Sequence, residues 1–250
     1  MSNAFNRTER LIGGAALQRL RAARVILFGI GGVGSWCAEA LVRSGVGTLT
    51  IVDNDVICET NINRQLQATS QNIGRVKVEA LKERLLEICP DAQVNALQTV
   101  YNQDTRGSFD LASYDYVIDA IDSLSHKVDL IASAMEAGVT LFSAMGAAAK
   151  LDPTSIHVDS IWKTHGCRLA RFVRKRLRHR GVTGDCLCVY SRETLPPVGV
   201  FPSDGEGDAW SDTKAQVNGS MVHMTGSFGF YLAGLVVQDA VRKTRVNCPD

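Results

Sequence analysis

The residues best placed to do chemistry begin with a glycine cluster. Gly29-Ile-Gly31-Gly32-Val-Gly34 fits the G-x-G-x-x-G spacing. Where Cβ atoms are missing, the backbone turns tightly and approaches a phosphate, and a following helix presents free N–H groups to the anion. Asp53 follows about 20 residues later, where an acid binds ribose hydroxyls. Asp55 is either a second site acid or a solvated loop charge. Such a turn serves a dinucleotide in hydride transfer or ATP in adenylation, and the residues beyond Asp53 favour ATP. Asn61-Ile-Asn63-Arg64-Gln65 lies just past the second apolar run, and Lys77 stands at the next helical stretch. The glycine turn and helix end largely manage a pyrophosphate, whereas a triphosphate needs side-chain cations. Arg64 can grip phosphate oxygens and Lys77 can supply a point charge. Asp119 and Asp122, in VIDAIDS, fall at the end of a third apolar run, and one of them can hold Mg²⁺. Each of these charges could also be an ordinary surface residue; their convergence on one edge is the stronger reading.

The elements that must carry these residues alternate. Apolar runs at Val25–Phe28, Thr48–Val52, 92–97, 114–120 and 139–145 read as strands. Helical patterns cover Val33–Ser44, Val76–Ile88 and Leu124–Ala137, the last stopped by Gly138. Alternation of this kind implies parallel pairing with right-handed crossovers. The expected fold is α/β, a doubly wound, Rossmann-like, mostly parallel sheet with ligands at the carboxyl ends of its strands. After Lys150 the texture changes, so 1–150 reads as the nucleotide-binding core and 151–250 as a strand/helix extension of one domain. In the extension, 155–161 and 186–191 look like strands, 196–216 is a Gly-, Pro- and acid-rich loop, and Gly226–Ala240 is an apolar closing helix.

Between those two strands lies RLARFVRKRLRHR, from Arg168 to Arg180. Leu169, Phe172, Val173 and Leu177 share a helical face that can dock, while Arg168, Arg171, Arg174, Lys175 and Arg178 project cations with no acid among them. A solvated face normally mixes both signs, so a surface tracking nucleic-acid phosphates is the better reading. His126, His165 and His179 read as packing or surface residues rather than catalysts.

Composition narrows the classes. The chain has 250 residues, 45% hydrophobic and 21% charged, with a net charge of +1, so any nucleic-acid surface must be local. No apolar run approaches the roughly 18 residues of a spanning helix, and no membrane role is expected. The seven cysteines are odd in number, scattered and without a CxxC pair, which suits a reduced cytoplasmic protein and disfavours a four-cysteine zinc site. Cys186 and Cys188 alternate on one strand and read as core. Cys58 lies near the nucleotide region but is not read as a nucleophile.

GIGGVGS, LVRSGVGTLTIVDNDVICETNINRQ, GRVKVEALKERLLEICP and YVIDAIDS resemble the adenylating superfamily of ThiF, MoeB and HesA type, related to the ubiquitin-activating enzymes. The resemblance implies that Asp53 holds ribose, that Asn61, Arg64 and Lys77 bind phosphates, and that Asp122 positions Mg²⁺. It also implies a homodimer, with Arg7 reaching across to the partner's phosphates. SAMGAAAKLDPTSIHVDSIWKTHGCRLARFVRKRLRHRGV and CVYSRE are similar to the tRNA threonylcarbamoyladenosine dehydratases. That implies ATP-dependent cyclisation of a modified adenosine in tRNA through an acyl-adenylate. The acidic stretch SDGEGDAWSD has no counterpart in the resemblance. The alternative is adenylation of the C-terminus of a ubiquitin-like sulfur-carrier protein, with a sulfur-transfer protein as a possible partner; the basic helix and the missing zinc cysteines count against it. A non-catalytic nucleotide-binding module and a dehydrogenase rank lower.

Overall fold

In a computed structural model, residues 3–195 and 219–246 are described. The acidic loop expected over 196–216 and the last cysteine, Cys248, lie outside them. Two N-terminal helices, α1 (Asn6–Ile12) and α2 (Gly14–Ala22), precede β1 (Arg24–Phe28). Then come α3 (Gly34–Arg43), β2 (Thr48–Val52), α4 (Lys77–Ile88), β3 (Gln93–Leu97), β4 (Tyr116–Asp119), α5 (Leu124–Glu136) and β5 (Thr140–Ala144). The second half supplies β6 (Ile156–Ser160), α6 (Arg168–His179), β7 (Leu187–Ser191) and α7 (Val222–Val246). The sequence pattern places every strand and α3 to α6 to within two residues or so. It gives no warning of α1 and α2, and α7 extends beyond Gly226–Ala240 at both ends.

The strands form one sheet in the order β3-β2-β1-β4-β5-β7-β6, parallel except for β6, which pairs antiparallel with β7. From β1 the chain builds outward to β3, returns, and builds the other way from β4. The reversal opens a crevice at the carboxyl ends of β1 and β4, where ligands bind in such sheets. The strands read as near-continuous apolar runs because both faces are covered. On one face α2, α3, α4 and α7 bury Leu20, Leu41, Leu81 and Phe228. On the other, α5 and α6 bury Val128, Ile131, Val173 and Leu177.

Candidate nucleotide-binding and RNA-facing site

The glycine turn leaves β1 at the crevice and enters α3. Gly29 has φ +88°, and a Cβ there would meet the Ala120 carbonyl oxygen at 2.7 Å. The turn therefore packs directly against the loop after β4. A Cβ on Gly34 would lie 1.8 Å from the Gly29 carbonyl oxygen, whereas one on Gly31 would have no heavy atom nearer than 3.8 Å. Gly34 thus serves the turn's own closure, and the space over Gly31 is open.

Asp53, at the end of β2, fixes the turn from one side. Its Oδ2 accepts the Ile30 N–H at 2.6 Å and its Oδ1 accepts the Asp55 N–H at 2.9 Å. Burial pushes this carboxyl above the usual aspartate range, against the opposing pull of the Lys77 ammonium and the two N–H groups. The carboxylate retains lone pairs for ribose hydroxyls.

The segment from Asn61 to Gln67 is stapled to the same turn. Trp36 Nε1 donates to the Arg64 carbonyl at 3.1 Å, Leu66 N–H to Ser35 Oγ at 3.1 Å, and Gln67 Nε2 to the Ile30 carbonyl at 2.9 Å. The Arg64 stem lies on Gly32, where a Cβ would meet its Cγ at 3.2 Å. Its guanidinium donates to the Thr60 carbonyl and Asn63 Oδ1. The Asn61 Oδ1 accepts the Cys58 N–H at 3.1 Å, leaving its amide nitrogen as the available donor. Gln65 and Gln67 are buried, and the Oε1 atom of each has no hydrogen-bond partner. Buried acceptors without partners are rare in finished structures, and here they flank the glycine turn.

Lys77 opens α4 with its side chain only 6% exposed, and its Nζ lies 2.6 Å from Asp55 Oδ2. Asp55 is thus the counter-ion of Lys77 in this geometry. The two acids after β4 part company. Asp119 is wholly buried, bonded to Lys127 and Ser143, while Asp122 is exposed at the crevice. Of the pair, only Asp122 can meet a hydrated cation. No cluster of three or more His, Cys, Asp or Glu suited to a metal exists among the described residues.

Arg7 is exposed on α1. Phe5 packs beside Gly45, just past the C-terminal end of α3, and the Arg21 guanidinium lies 5.6 Å from the Phe5 ring. The turn is at the other end of α3, ten residues or about 15 Å away.

The basic helix α6 buries Ala170, Val173 and Leu177, while Leu169 and Phe172 are only partly covered. Its cations divide. Arg174 turns inward, half-buried, and donates to Thr164 Oγ1; burial first, then the Arg178 charge, pulls its pKa down. Among the cations expected to face RNA it is the one turned toward the body of the fold. Arg178 is exposed but lies over the Trp162 ring at 5.4 Å. Arg168, Arg171 and Lys175 are exposed, the two arginines flanking the Phe172 ring. Cys186 and Cys188 are buried with their sulfurs 3.8 Å apart, and burial pushes the Cys188 thiol well up, which suits core residues rather than nucleophiles. The sequence reading missed two residues that hold the site together, Lys127 and Gln67. A lysine inside a helix and a glutamine in a loop carry no pattern that separates them from surface residues.

The ThiF family model matches residues 5–244. The chain is 36% identical to the tRNA threonylcarbamoyladenosine dehydratase of Bacillus subtilis, over 98% of each protein. It is 37% identical to that of Escherichia coli, over 96% of this chain and 92% of the relative. Its fold superposes on the E. coli dehydratase solved in complex with ATP with a TM-score of 0.87, at 34% identity, covering 98% and 97% of the two chains. The E. coli MccB structures, at 16% identity and TM-score 0.63, share the fold.

Proposed function

The chain belongs to the ThiF family, alongside its tRNA threonylcarbamoyladenosine dehydratases, and from that premise we propose the following course for its reaction. It is an ATP-dependent enzyme that dehydrates threonylcarbamoyladenosine in tRNA. The threonyl carboxylate attacks the α-phosphate of ATP and pyrophosphate leaves. The carbamoyl group then attacks the activated carbonyl, a ring closes and AMP departs, so the net change is loss of water. The near-full-length match to the ATP-bound dehydratase carries this reading. The open approach over Gly31 and the buried, unpartnered acceptors beside it fit a bound nucleotide independently.

Little covalent chemistry is asked of the protein; it must orient two reactants and neutralise developing charge. The amides of the turn and the α3 N-terminus face the phosphates, Asp53 takes the ribose, and Asn61, Arg64, Gln65 and Lys77 surround the phosphate chain. Asp122 would hold Mg²⁺, which when bound would screen the charge that develops on the departing pyrophosphate. Arg7 of a second subunit would complete the site, since Phe5 just before it packs past the end of α3 away from the turn, and the protein would work as a homodimer. The exposed face of α6 (Arg168, Arg171, Lys175 and Arg178) would carry the tRNA backbone. Residues 151–250 act as an extension of the 1–150 core within one adenylating unit. No helix among the described residues is long and apolar enough to cross a membrane, and the free cysteines suit work in a reducing cytoplasm.

Sulfur-carrier adenylation is the weaker reading. The match to a yeast-type adenylyltransferase and sulfurtransferase is 31% over 60% of this chain and 34% of the relative, shorter and lower than the dehydratase match. The test is incubation with ATP and tRNA carrying threonylcarbamoyladenosine, followed by mass analysis of the nucleosides. The expected product is one water lighter, with AMP formed in step; an unchanged nucleoside overturns the reading.

A further inference from the structure

Beneath the crevice lies an ion pair that no direct contact with a nucleotide explains. Lys127, on the first turn of α5, and Asp119, the last residue of β4, are each 0% exposed, with Nζ and Oδ2 2.6 Å apart. The same Oδ2 accepts Ser143 Oγ at 2.5 Å, and Lys127 also donates to the Ala144 carbonyl at 2.8 Å. Asp119 Oδ1 accepts the Ile121 N–H at 3.0 Å. The pair therefore grips the start of the loop that leaves β4 and the last two residues of β5, from which the next loop leaves. The first loop packs on Gly29 and carries Asp122. The second runs into Gly146, where a Cβ would touch Cys167 Sγ at 3.6 Å and Leu169 Cβ at 3.7 Å, the start of the basic helix.

A fully desolvated pair is weak evidence of stabilisation, because apolar residues of similar volume often do as well. Its geometric effect is different: it sets the separation between the carboxylate at the phosphate side and the loop at the RNA side. We propose that Lys127 and Asp119 are positioning residues for the adenylation step, fixing the Asp122 loop against the β5 loop so that the acceptor carboxylate and the α-phosphate meet in line. The proposal rests on the adenylating function given above.

The test uses the full-length protein with ATP and the modified tRNA. Asp119→Asn/Lys127→Met removes both charges together and leaves neither one stranded. Its melting temperature should stay close to the parent's and its KM for ATP within about threefold, while kcat falls about 10²-fold, the loss that goes with roughly 1 Å of misplacement. Adding Asp122→Asn to this variant should lower kcat no further than Asp122→Asn alone, since residues acting through one another do not add. An unchanged kcat, a loss confined to KM, or fully multiplicative losses with Asp122→Asn would each overturn the proposal. Should the double variant fail to fold, Ser143→Ala keeps both charges paired and only loosens Asp119. It should lower kcat severalfold at constant KM, and an unchanged kcat there has the same overturning force. A parent protein inactive on tRNA would instead sink the dehydratase reading itself, which the parent control reveals before any variant is compared.

Discussion

Alanine at Gly31 and at Gly34, one at a time, separates a glycine needed by the ligand from a glycine needed by the fold. At Gly34 the new methyl would sit 1.8 Å from the Gly29 carbonyl oxygen, about 1.6 Å short of ordinary contact. Both partners are backbone, so the turn itself must open. Overpacking of this kind costs about 3 kcal/mol or more, offset by up to about 1 kcal/mol of better helix propensity. A net loss of about 2–3 kcal/mol lowers Tm by roughly 4–12 °C in a chain of this size. At Gly31 the nearest heavy atom to the methyl is Gln65 Nε2 at 3.8 Å, so folding is barely touched. The methyl instead occupies the approach of a phosphate to the turn. Displacing one charge-assisted N–H contact is worth about 1.5–3 kcal/mol, or roughly 10- to 100-fold in ATP affinity. Thermal melts and calorimetric titration with ATP read the two effects separately. Parent-like ATP binding by Gly31→Ala refutes the assignment of that open space to a phosphate, and a Gly31→Ala melt as low as that of Gly34→Ala refutes the division of labour.

Mixing Arg7→Ala with Asp122→Ala subunits should restore activity to two inactive parents, to at most about half per hybrid dimer, because one site of two regains both parts; confirmed subunit exchange without recovery excludes a trans arginine. Reversing charge at Arg171 and Lys175 should lower the slope of log affinity for tRNA against log salt by about two, with ATP affinity unchanged, and an unaltered slope removes α6 from the RNA surface. Arg174→Glu should instead lower Tm, since that side chain is held against Thr164. Burial acts to raise the Asp239 carboxyl, but hydrogen bonds from Lys243, Arg242 and Tyr116 bring it below the ordinary aspartate value. Its stabilisation is complete above the unfolded-state pKa and is lost as pH falls through the lower folded-state value. Asp239→Asn should therefore flatten the acid limb of the stability–pH curve, and superimposable limbs would dismiss the contribution.

By itself the sequence determined the alternation of strands and helices, the nucleotide turn and the density of cations on α6. These are local properties: apolar period, missing Cβ atoms and like charges at helical spacing are written along the chain. It also brought Asp53, Arg64, Lys77 and Asp122 to the strand ends, because doubly wound sheets place those ends at one edge. Which side chains face ligand and which face each other depended on tertiary packing. Asp119 and Asp122 stand three residues apart with the same chemistry, yet one is sealed against Lys127 and the other meets solvent. Arg174 and Arg171 sit on one basic helix, yet the first is half-buried and bonded to Thr164 while the second is exposed beside Phe172. Phe5, two residues before Arg7, packs beside Gly45 at the end of α3 away from the turn, and Gln67 acts through a carbonyl 37 positions earlier in the chain. Each of these outcomes depends on how separate elements pack within a few ångströms of one another, and no local pattern encodes that.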